Sequence, residues 1–128
     1  MGVVIHLDTN ILIDLVTSHS AQVAMVHGWL KSNIPLAASA VTWSEFCNGP
    51  IPLAKKQLIE QILGDNIIDF TQPMAETASF LFNKTGRRSS HSDCMIAATA
   101  IISDAPLCTQ NIKDFERFIP FGLHLHSF

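Results

Sequence analysis

Charged residues are scarce in this sequence. Asp, Glu, Lys and Arg make up 15% of the 128 residues, whereas apolar residues make up 48%, and Gly and Pro number only six each. This composition excludes a disordered chain and a fibrous repeat. Positive charge is not in excess either, because the formal net charge is −3. Broad adhesion to nucleic acid depends on many Lys and Arg residues, so any chemistry on nucleic acid must be local.

Cysteine pairs and membrane-length apolar runs are also missing. Cys47, Cys94 and Cys108 form no CxxC pair, and we expect free, mostly buried thiols. The longest apolar runs, such as MIAATAII from Met95, are well short of the roughly 20 residues that a membrane helix needs. The amino terminus lacks a basic region followed by an apolar core. We therefore expect a cytoplasmic protein with one domain, residues 1–128.

Short apolar runs alternate with stretches of helical pattern. The runs that predict strands are VVIHL at 3–7, PLAAS at 35–39, NIIDF at 66–70, PLCT at 106–109 and GLHLHSF at 122–128. Helices are predicted near 10–17, 20–32, 42–48, 53–64, 73–85, 91–103 and 112–118. The first four strands lack strict alternation of apolar and polar residues, as expected for strands covered on both faces. The pattern predicts an α/β fold with a mostly parallel sheet.

Acid and amide groups follow three of the predicted strands. Asp8 comes directly after the first strand, Glu45 lies one to two turns into the helix after the second, and Asn111 and Asp114 follow PLCT. Ligands of open parallel sheets bind at the carboxyl ends of the strands, so these groups could meet at one edge. A further acid, Asp93, opens the apolar helix SDCMIAATAIIS.

Each acid also has a purely structural interpretation. Asp8 and Asp114 could cap their helices, Asp93 could complement a helix dipole, and Glu45 could be solvated. The joint pattern favours a site, because Asp93 opens a helix that is apolar nearly all round, where an uncompensated charge is costly. Clustered carboxylates repel one another, and a divalent cation is the usual remedy.

The types of residue at the predicted site indicate which cation it would bind. Carboxylate and amide oxygens without clustered Cys or His suit Mg²⁺ or Mn²⁺ rather than zinc. Such an ion activates water and stabilises charge on a phosphodiester, so the sequence favours phosphodiester hydrolysis.

Four segments resemble the motifs of one family in order and spacing. They are LDTNILIDL at 7–15, SAVTWSEFCNG at 39–49, HSDCMIAATA at 91–100 and LCTQNIKDFERF at 107–118. Together they resemble PIN domains, particularly the VapC-type toxin ribonucleases of prokaryotes. The resemblance implies a three-layer α/β/α fold, a five-stranded parallel sheet of order 3-2-1-4-5, and a metal-dependent RNA endonuclease site.

The resemblance also implies roles for individual residues. Asp8 and Asp93 match metal ligands, Glu45 matches the second acid and Asp114 the fourth, so all four are candidate catalytic and metal-binding residues for Mg²⁺ or Mn²⁺. Some PIN domains place an acid where this chain has Asn111. Small polar positions that orient water or ligand oxygens are matched by Thr9, Asn10 and Thr109.

The sequence gives less specific predictions about the roles of basic residues and about binding partners. Arg87 and Arg88 precede Asp93 and could hold a phosphate, face an antitoxin, or form a solvated helix end. The implied partners are an RNA substrate, a cognate antitoxin and a second copy of the chain. The stripe formed by Ala21, Met25 and Trp29, with Leu12 and Leu15, is compatible with a dimer face, an antitoxin groove or core.

Two competing functions remain open at this point. A catalytically inactive PIN-like module that binds RNA or protein would keep the fold without turnover, but the full set of four acids argues against it. A phosphatase of the haloacid dehalogenase type also begins with a strand and Asp. That family requires a second Asp two residues on, where this chain has Asn10.

Overall fold

The computed structural model describes residues 3–17 and 21–126. In these residues five strands form one sheet: β1 (Ile5–Leu7), β2 (Leu36–Ser39), β3 (Ile67–Ile68), β4 (Leu107–Cys108) and β5 (Leu125–His126). Every neighbouring pair is parallel and the order is β3-β2-β1-β4-β5. The predicted α/β class and the strand order 3-2-1-4-5 are therefore confirmed.

Within the part of the chain that the structure describes, seven α-helices fill the connections between strands. They are α1 (Thr9–Thr17), α2 (Ala21–Lys31), α3 (Ala40–Asn48), α4 (Leu53–Leu63), α5 (Gln72–Lys84), α6 (His91–Ile102) and α7 (Ile112–Phe115). Each corresponds to a predicted helix, with ends that differ from the prediction by at most three residues. Residue 20, predicted to open the second helix, and residues 127–128 of the last predicted strand lie outside the described residues.

The last helical segment differs from the prediction. A helix was expected over 112–118, but α7 stops at Phe115 and a 3₁₀ helix runs from Glu116 to Phe121. Pro120 lies in this segment and supplies no backbone N–H. The segment ends at Gly122, whose φ of 110° is a conformation that residues with a Cβ atom rarely adopt.

Apolar clusters cover both faces of the sheet. One contains Cys108 with residues of β1, β2, α1, α3 and α4, and the other contains Leu107 with residues of α5 and α6. Neighbouring residues of β4 thus point to opposite faces, as the pleat of a strand requires. Leu12 is fully buried in the first cluster, and Leu15 and Trp29 pack against it. These three residues of the predicted stripe therefore belong to the core or its edge.

The predictions about cysteines and membrane helices can also be compared with the structure. The three cysteines are free, with Cys94 and Cys108 buried and Cys47 half-buried. Burial, helped by the negative charge of Asp8, raises the pKa of the Cys108 thiol to about 12, so this thiol stays protonated. Within residues 3–17 and 21–126, no helix is both long and apolar enough to cross a membrane.

Candidate active site

Asp8 lies directly after β1 at the carboxyl edge of the sheet and is 4% exposed. Its backbone carbonyl accepts hydrogen bonds from the N–H groups of Ile11 and Leu12, which starts α1. Its carboxylate accepts the Thr9 N–H at 2.8 Å on Oδ1 and the Thr109 hydroxyl at 2.7 Å on Oδ2. Asp8 therefore begins the helix through its backbone while its side chain is held at the edge of the sheet.

Glu45 is brought to the same edge by α3. Ser39, the last residue of β2, caps this helix by accepting the Thr42 N–H at 2.9 Å. The exposed Glu45 carboxylate accepts the Thr9 hydroxyl at 2.6 Å. Thr9 thus donates its N–H to Asp8 and its hydroxyl to Glu45, and links two acids that are 37 residues apart in the sequence.

Asp93 is the third residue of α6. The hydroxyl of Ser90 caps this helix by accepting the Asp93 N–H at 3.1 Å. The side chain is half-buried, and the helix behind it contributes six buried residues to the core. The cap fixes where the first turn of α6 begins, and with it the position of the carboxylate.

These three acids line one small cleft of about 160 Å³. Its other walls are Thr9, Asn10 and Asn111. The structure therefore brings together residues that are separated by up to 103 positions in the sequence, from Asp8 to Asn111. Beneath Asp8, the fully buried Thr109 also accepts the Asn111 N–H at 3.0 Å, which ties this loop to the cleft.

The fourth acid, Asp114, is placed differently. It is exposed in the first turn of α7 and is not part of the cleft wall, whereas Asn111 is. Its charge nevertheless acts on the site, because it contributes to raising the pKa of both Asp8 and Asp93. Asn111 is therefore a wall residue, and Asp114 is an electrostatic neighbour.

Electrostatics in the cleft favour a cation. Burial raises the pKa of Asp8, opposed by the hydrogen bonds from Thr109 and Thr9 and reinforced by the charges of Glu45 and Asp114. Burial also raises the pKa of Asp93 to about 6, and the charge of Asp8 is the next largest cause. Neighbouring negative charge thus makes ionisation of Asp8 and Asp93 harder, and a bound cation would relieve this repulsion.

The donor atoms fit a hard divalent ion. All side-chain donors on the cleft wall are carboxylate, hydroxyl or amide groups. Among the described residues, no group of three or more His, Cys, Asp or Glu side chains is arranged to hold a metal by itself. Mg²⁺ commonly uses one or two protein carboxylates and completes its shell with water and phosphate oxygens, so this cleft suits it.

The two predicted arginines lie elsewhere. Arg87 places its guanidinium carbon 4.6 Å from the centre of the Phe82 ring and donates to Asn83 Oδ1 at 2.7 Å. Arg88 donates through Nε to the Thr85 carbonyl at 3.3 Å. Both are exposed, and neither belongs to the wall of the acidic cleft.

Sequence reasoning missed two contacts near the site. Gln110 donates its side-chain amide to the Asp14 carboxylate and so joins the loop after β4 to α1. Arg117 donates to the Ser89 hydroxyl at 3.4 Å, just before the cap of α6. Arg117 could have been noticed in the sequence because it lies three residues after the predicted acid Asp114. No feature of the sequence indicated that Gln110 would contact Asp14.

Comparisons with known proteins identify the family of the chain and structures of similar fold. The PIN domain family matches residues 5–118. The VapBC2 complex of Rickettsia felis, bound to a DNA fragment from its promoter, is similar in structure with a TM-score of 0.80, 24% identity, and 98% of each chain covered. A toxin-antitoxin complex from Klebsiella pneumoniae has a TM-score of 0.70 and 32% identity, covering 86% of this chain and 88% of that one.

A third similar structure is FitAcB from Neisseria gonorrhoeae, with a TM-score of 0.74, 22% identity and 96% of each chain covered. No similar sequence was found among curated proteins. PIN domains are nucleases in general. The family match spans most of the chain and includes all four predicted acids, so this protein belongs to the PIN domain family.

Proposed function

We propose that this chain, as a single PIN domain over residues 1–128, is a metal-dependent endoribonuclease that hydrolyses RNA phosphodiester bonds. We further propose that it is the toxin component of a VapBC-type toxin-antitoxin pair. The observation that supports the chemistry most strongly is the convergence of Asp8, Glu45 and Asp93 on one small cleft. The Klebsiella relative supports the biological assignment, because it is a toxin-antitoxin complex at 32% identity.

Asp8 and Asp93 are the residues proposed to hold the principal ion. Both border the cleft, and the pKa of each is raised by burial and by neighbouring negative charge. Thr109 and Thr9 donate to both oxygens of Asp8, so that carboxylate is kept oriented and its ionised form is favoured. When bound, Mg²⁺ or Mn²⁺ would supply Lewis acidity toward a phosphate oxygen and the activation of water.

Glu45 is proposed to position and deprotonate the attacking water. It is the exposed acid of the cleft wall, and the Thr9 hydroxyl holds one of its oxygens at 2.6 Å. The other oxygen remains for a water molecule. Asp114 completes the negative potential, and Asn10 and Asn111 offer side-chain amides on the cleft wall that could hold water or a phosphate oxygen.

The proposed partners follow from the assignment. They are an RNA substrate, a cognate antitoxin and a second copy of the chain, with the cytoplasm as the place of action. Exposed leucines on α4, Leu53 at 69% and Leu58 at 50% exposure, provide apolar surface that a protein partner could cover.

The direct test is the substitution Asp93→Asn. It preserves shape and the cap of α6 but removes the negative charge, so we expect RNA cleavage in Mg²⁺ or Mn²⁺ to fall by at least about 100-fold. The matched control is Asp104→Asn, just beyond the other end of α6, where the residue is exposed. Asp104 has φ of 51°, which Asn adopts readily, so this control should retain activity and stability.

The outcomes separate the two candidate functions. Cleavage by the wild-type chain that requires the ion and is lost only in Asp93→Asn supports the nuclease. Full activity of Asp93→Asn would overturn it. Binding of RNA without metal-dependent cleavage by the wild-type chain would instead favour the inactive binding module.

A further inference from the structure

A second cavity lies between α5 and α6, outside the acidic cleft. It has a volume of about 240 Å³, and its wall includes Phe70, Phe82, Asn83, Arg87, His91 and Met95. We refer to it as the aromatic cavity. Its wall contains no acid, in contrast to the acidic cleft. The proposed mechanism uses none of its side chains.

Three planar groups lie next to one another along its wall. The guanidinium of Arg87 lies 4.6 Å from the centre of the Phe82 ring. The rings of Phe82 and His91 have centres 4.5 Å apart and planes inclined by 34°. His91 is exposed, so its imidazole can be reached from solvent. Nucleobases stack on aromatic side chains and on Arg planes, which makes this wall a suitable platform for a base.

The position of Arg87 is specified by unusual backbone. Arg87 has φ of 61° and follows Gly86, which has φ of 74°. The left-handed conformation is unfavourable for a residue with a Cβ atom. It is held by a hydrogen bond from the Arg87 N–H to the Phe82 carbonyl at 2.9 Å and by the bond from the guanidinium to Asn83. The turn therefore directs the guanidinium onto the ring.

The aromatic cavity and the acidic cleft border the same turn of α6. His91 and Met95, four residues apart on one face of the helix, line the cavity, whereas Asp93, two residues after His91 and so on another face, lines the cleft. A strand of RNA that has a phosphate in the cleft and crosses the amino end of α6 would bring a neighbouring base to the exposed His91. The charges also match, because Arg87 is exposed and can contact the backbone phosphate of that nucleotide.

We propose that the aromatic cavity is a nucleobase subsite. It stacks an unpaired base of the RNA against the exposed ring of His91, which packs on Phe82, near the phosphodiester that is cleaved. The base that it binds is unpaired, because a base paired within a helix cannot leave its stack without an energetic cost. This inference rests on the proposed function and adds a base-binding subsite to it.

The test measures binding without turnover. Fluorescein-labelled short oligoadenylate and oligouridylate are compared with a ribose-phosphate oligomer of the same length that lacks bases, using fluorescence anisotropy with the Asp93→Asn protein in Mg²⁺. The charge of the three probes is equal, so differences in Kd report contacts to bases. We expect at least one base-bearing probe to bind about tenfold more tightly than the abasic one.

Substitutions locate those contacts. In His91→Ala and Phe82→Leu, each combined with Asp93→Asn, the difference between base-bearing and abasic probes should fall to less than about threefold. The matched controls are His124→Ala, at an exposed histidine before β5, and Phe80→Leu, at a half-exposed ring on α5. Neither control residue lines the cavity, and both should keep the full difference.

Several possible results of this experiment would overturn the subsite. Equal binding of all probes, no binding of any probe, or an unchanged difference in both cavity variants would overturn it. Loss of the difference in a control as well would also overturn it, because the effect would then be general. Base-dependent binding by a chain whose wild type does not cleave RNA would overturn the nuclease assignment and leave the subsite in place.

Discussion

Two threonines decide how the acids of the cleft are oriented. Thr9 connects Asp8 with Glu45, and the fully buried Thr109 donates to Asp8 and accepts from Asn111. A buried carboxylate that loses such a donor keeps the cost of its desolvation without the compensating bond. At this scale, the hydroxyl groups matter as much as the carboxylates they hold.

Thr109→Val tests this role, because valine has nearly the same shape and lacks the hydroxyl. We expect the free energy of unfolding at pH 7 to fall by about 2 kcal/mol, the usual scale for a lost hydrogen bond to a charged group. Urea denaturation measures it. Thr109→Ser keeps the hydroxyl and should be less destabilised; a serine variant as unstable as the valine variant would show that packing, not the hydrogen bond, sets the loss.

The raised pKa of Asp93 predicts how the stability of the folded protein changes with pH. Burial and the charge of Asp8 raise its pKa in the folded protein to about 6, above the value of roughly 4 expected in an unfolded chain. The folded state therefore holds the proton more tightly, and its stability falls as pH rises from about 4 to about 6. Because the side chain is half exposed, screening reduces the effect to about 1 kcal/mol.

Denaturation in a chelator at pH 4 and at pH 7 measures this contribution. Asp93→Asn should be more stable than the wild type at pH 7 and equal to it near pH 4. Added Mg²⁺ should stabilise the wild type more at pH 7 than at pH 5, because bound metal displaces the proton. A difference between variant and wild type that does not change with pH would contradict this assignment of the pKa.

At the scale of elements, the helix caps place the acids. Ser39 caps α3, which carries Glu45, and Ser90 caps α6, which carries Asp93. Each cap lies at the carboxyl edge of the sheet or next to the cleft, so a short polar residue fixes both the start of a helix and the location of an acid. Loss of a cap is therefore expected to affect stability and site geometry together.

Ser90→Ala removes the cap of α6. We expect a loss of about 1 kcal/mol in the free energy of unfolding, because the Asp93 N–H loses its acceptor. Ser103→Ala, at the exposed carboxyl end of the same helix, provides the control and should cost less. Thermal denaturation of the two variants gives the comparison. An equal loss in both would mean that the Ser90 hydroxyl does not cap the helix.

Most helices and strands could be predicted from local pattern, but their lengths could not. The run NIIDF predicted a five-residue strand, and only Ile67 and Ile68 pair with β2. The apolar character of a segment predicts that it is buried, but the length of a strand depends on how far the neighbouring strand runs beside it. The helix predicted over 112–118 likewise became a short α-helix and a 3₁₀ helix, which local periodicity does not distinguish.

For the whole molecule, the strand order and the meeting of the acids required more than periodicity. Alternating elements predict a parallel sheet, but the order 3-2-1-4-5 came from the resemblance to PIN domains. The sequence could not predict whether Asn111 or Asp114 lines the cleft, because this depends on how Thr109 holds the loop after β4. The aromatic cavity was missed for a similar reason, since its stack depends on the left-handed backbone of Arg87.

The central claim is that carboxylates from distant segments share one small divalent ion. Anomalous X-ray scattering from crystals of the wild-type protein grown with Mn²⁺ tests it most directly, with crystals of Asp93→Asn as the comparison. We predict an anomalous peak in the cleft lined by Asp8, Glu45 and Asp93, and its loss or strong reduction in the variant. A wild-type cleft without a peak, or a peak that persists unchanged in Asp93→Asn, would contradict the account.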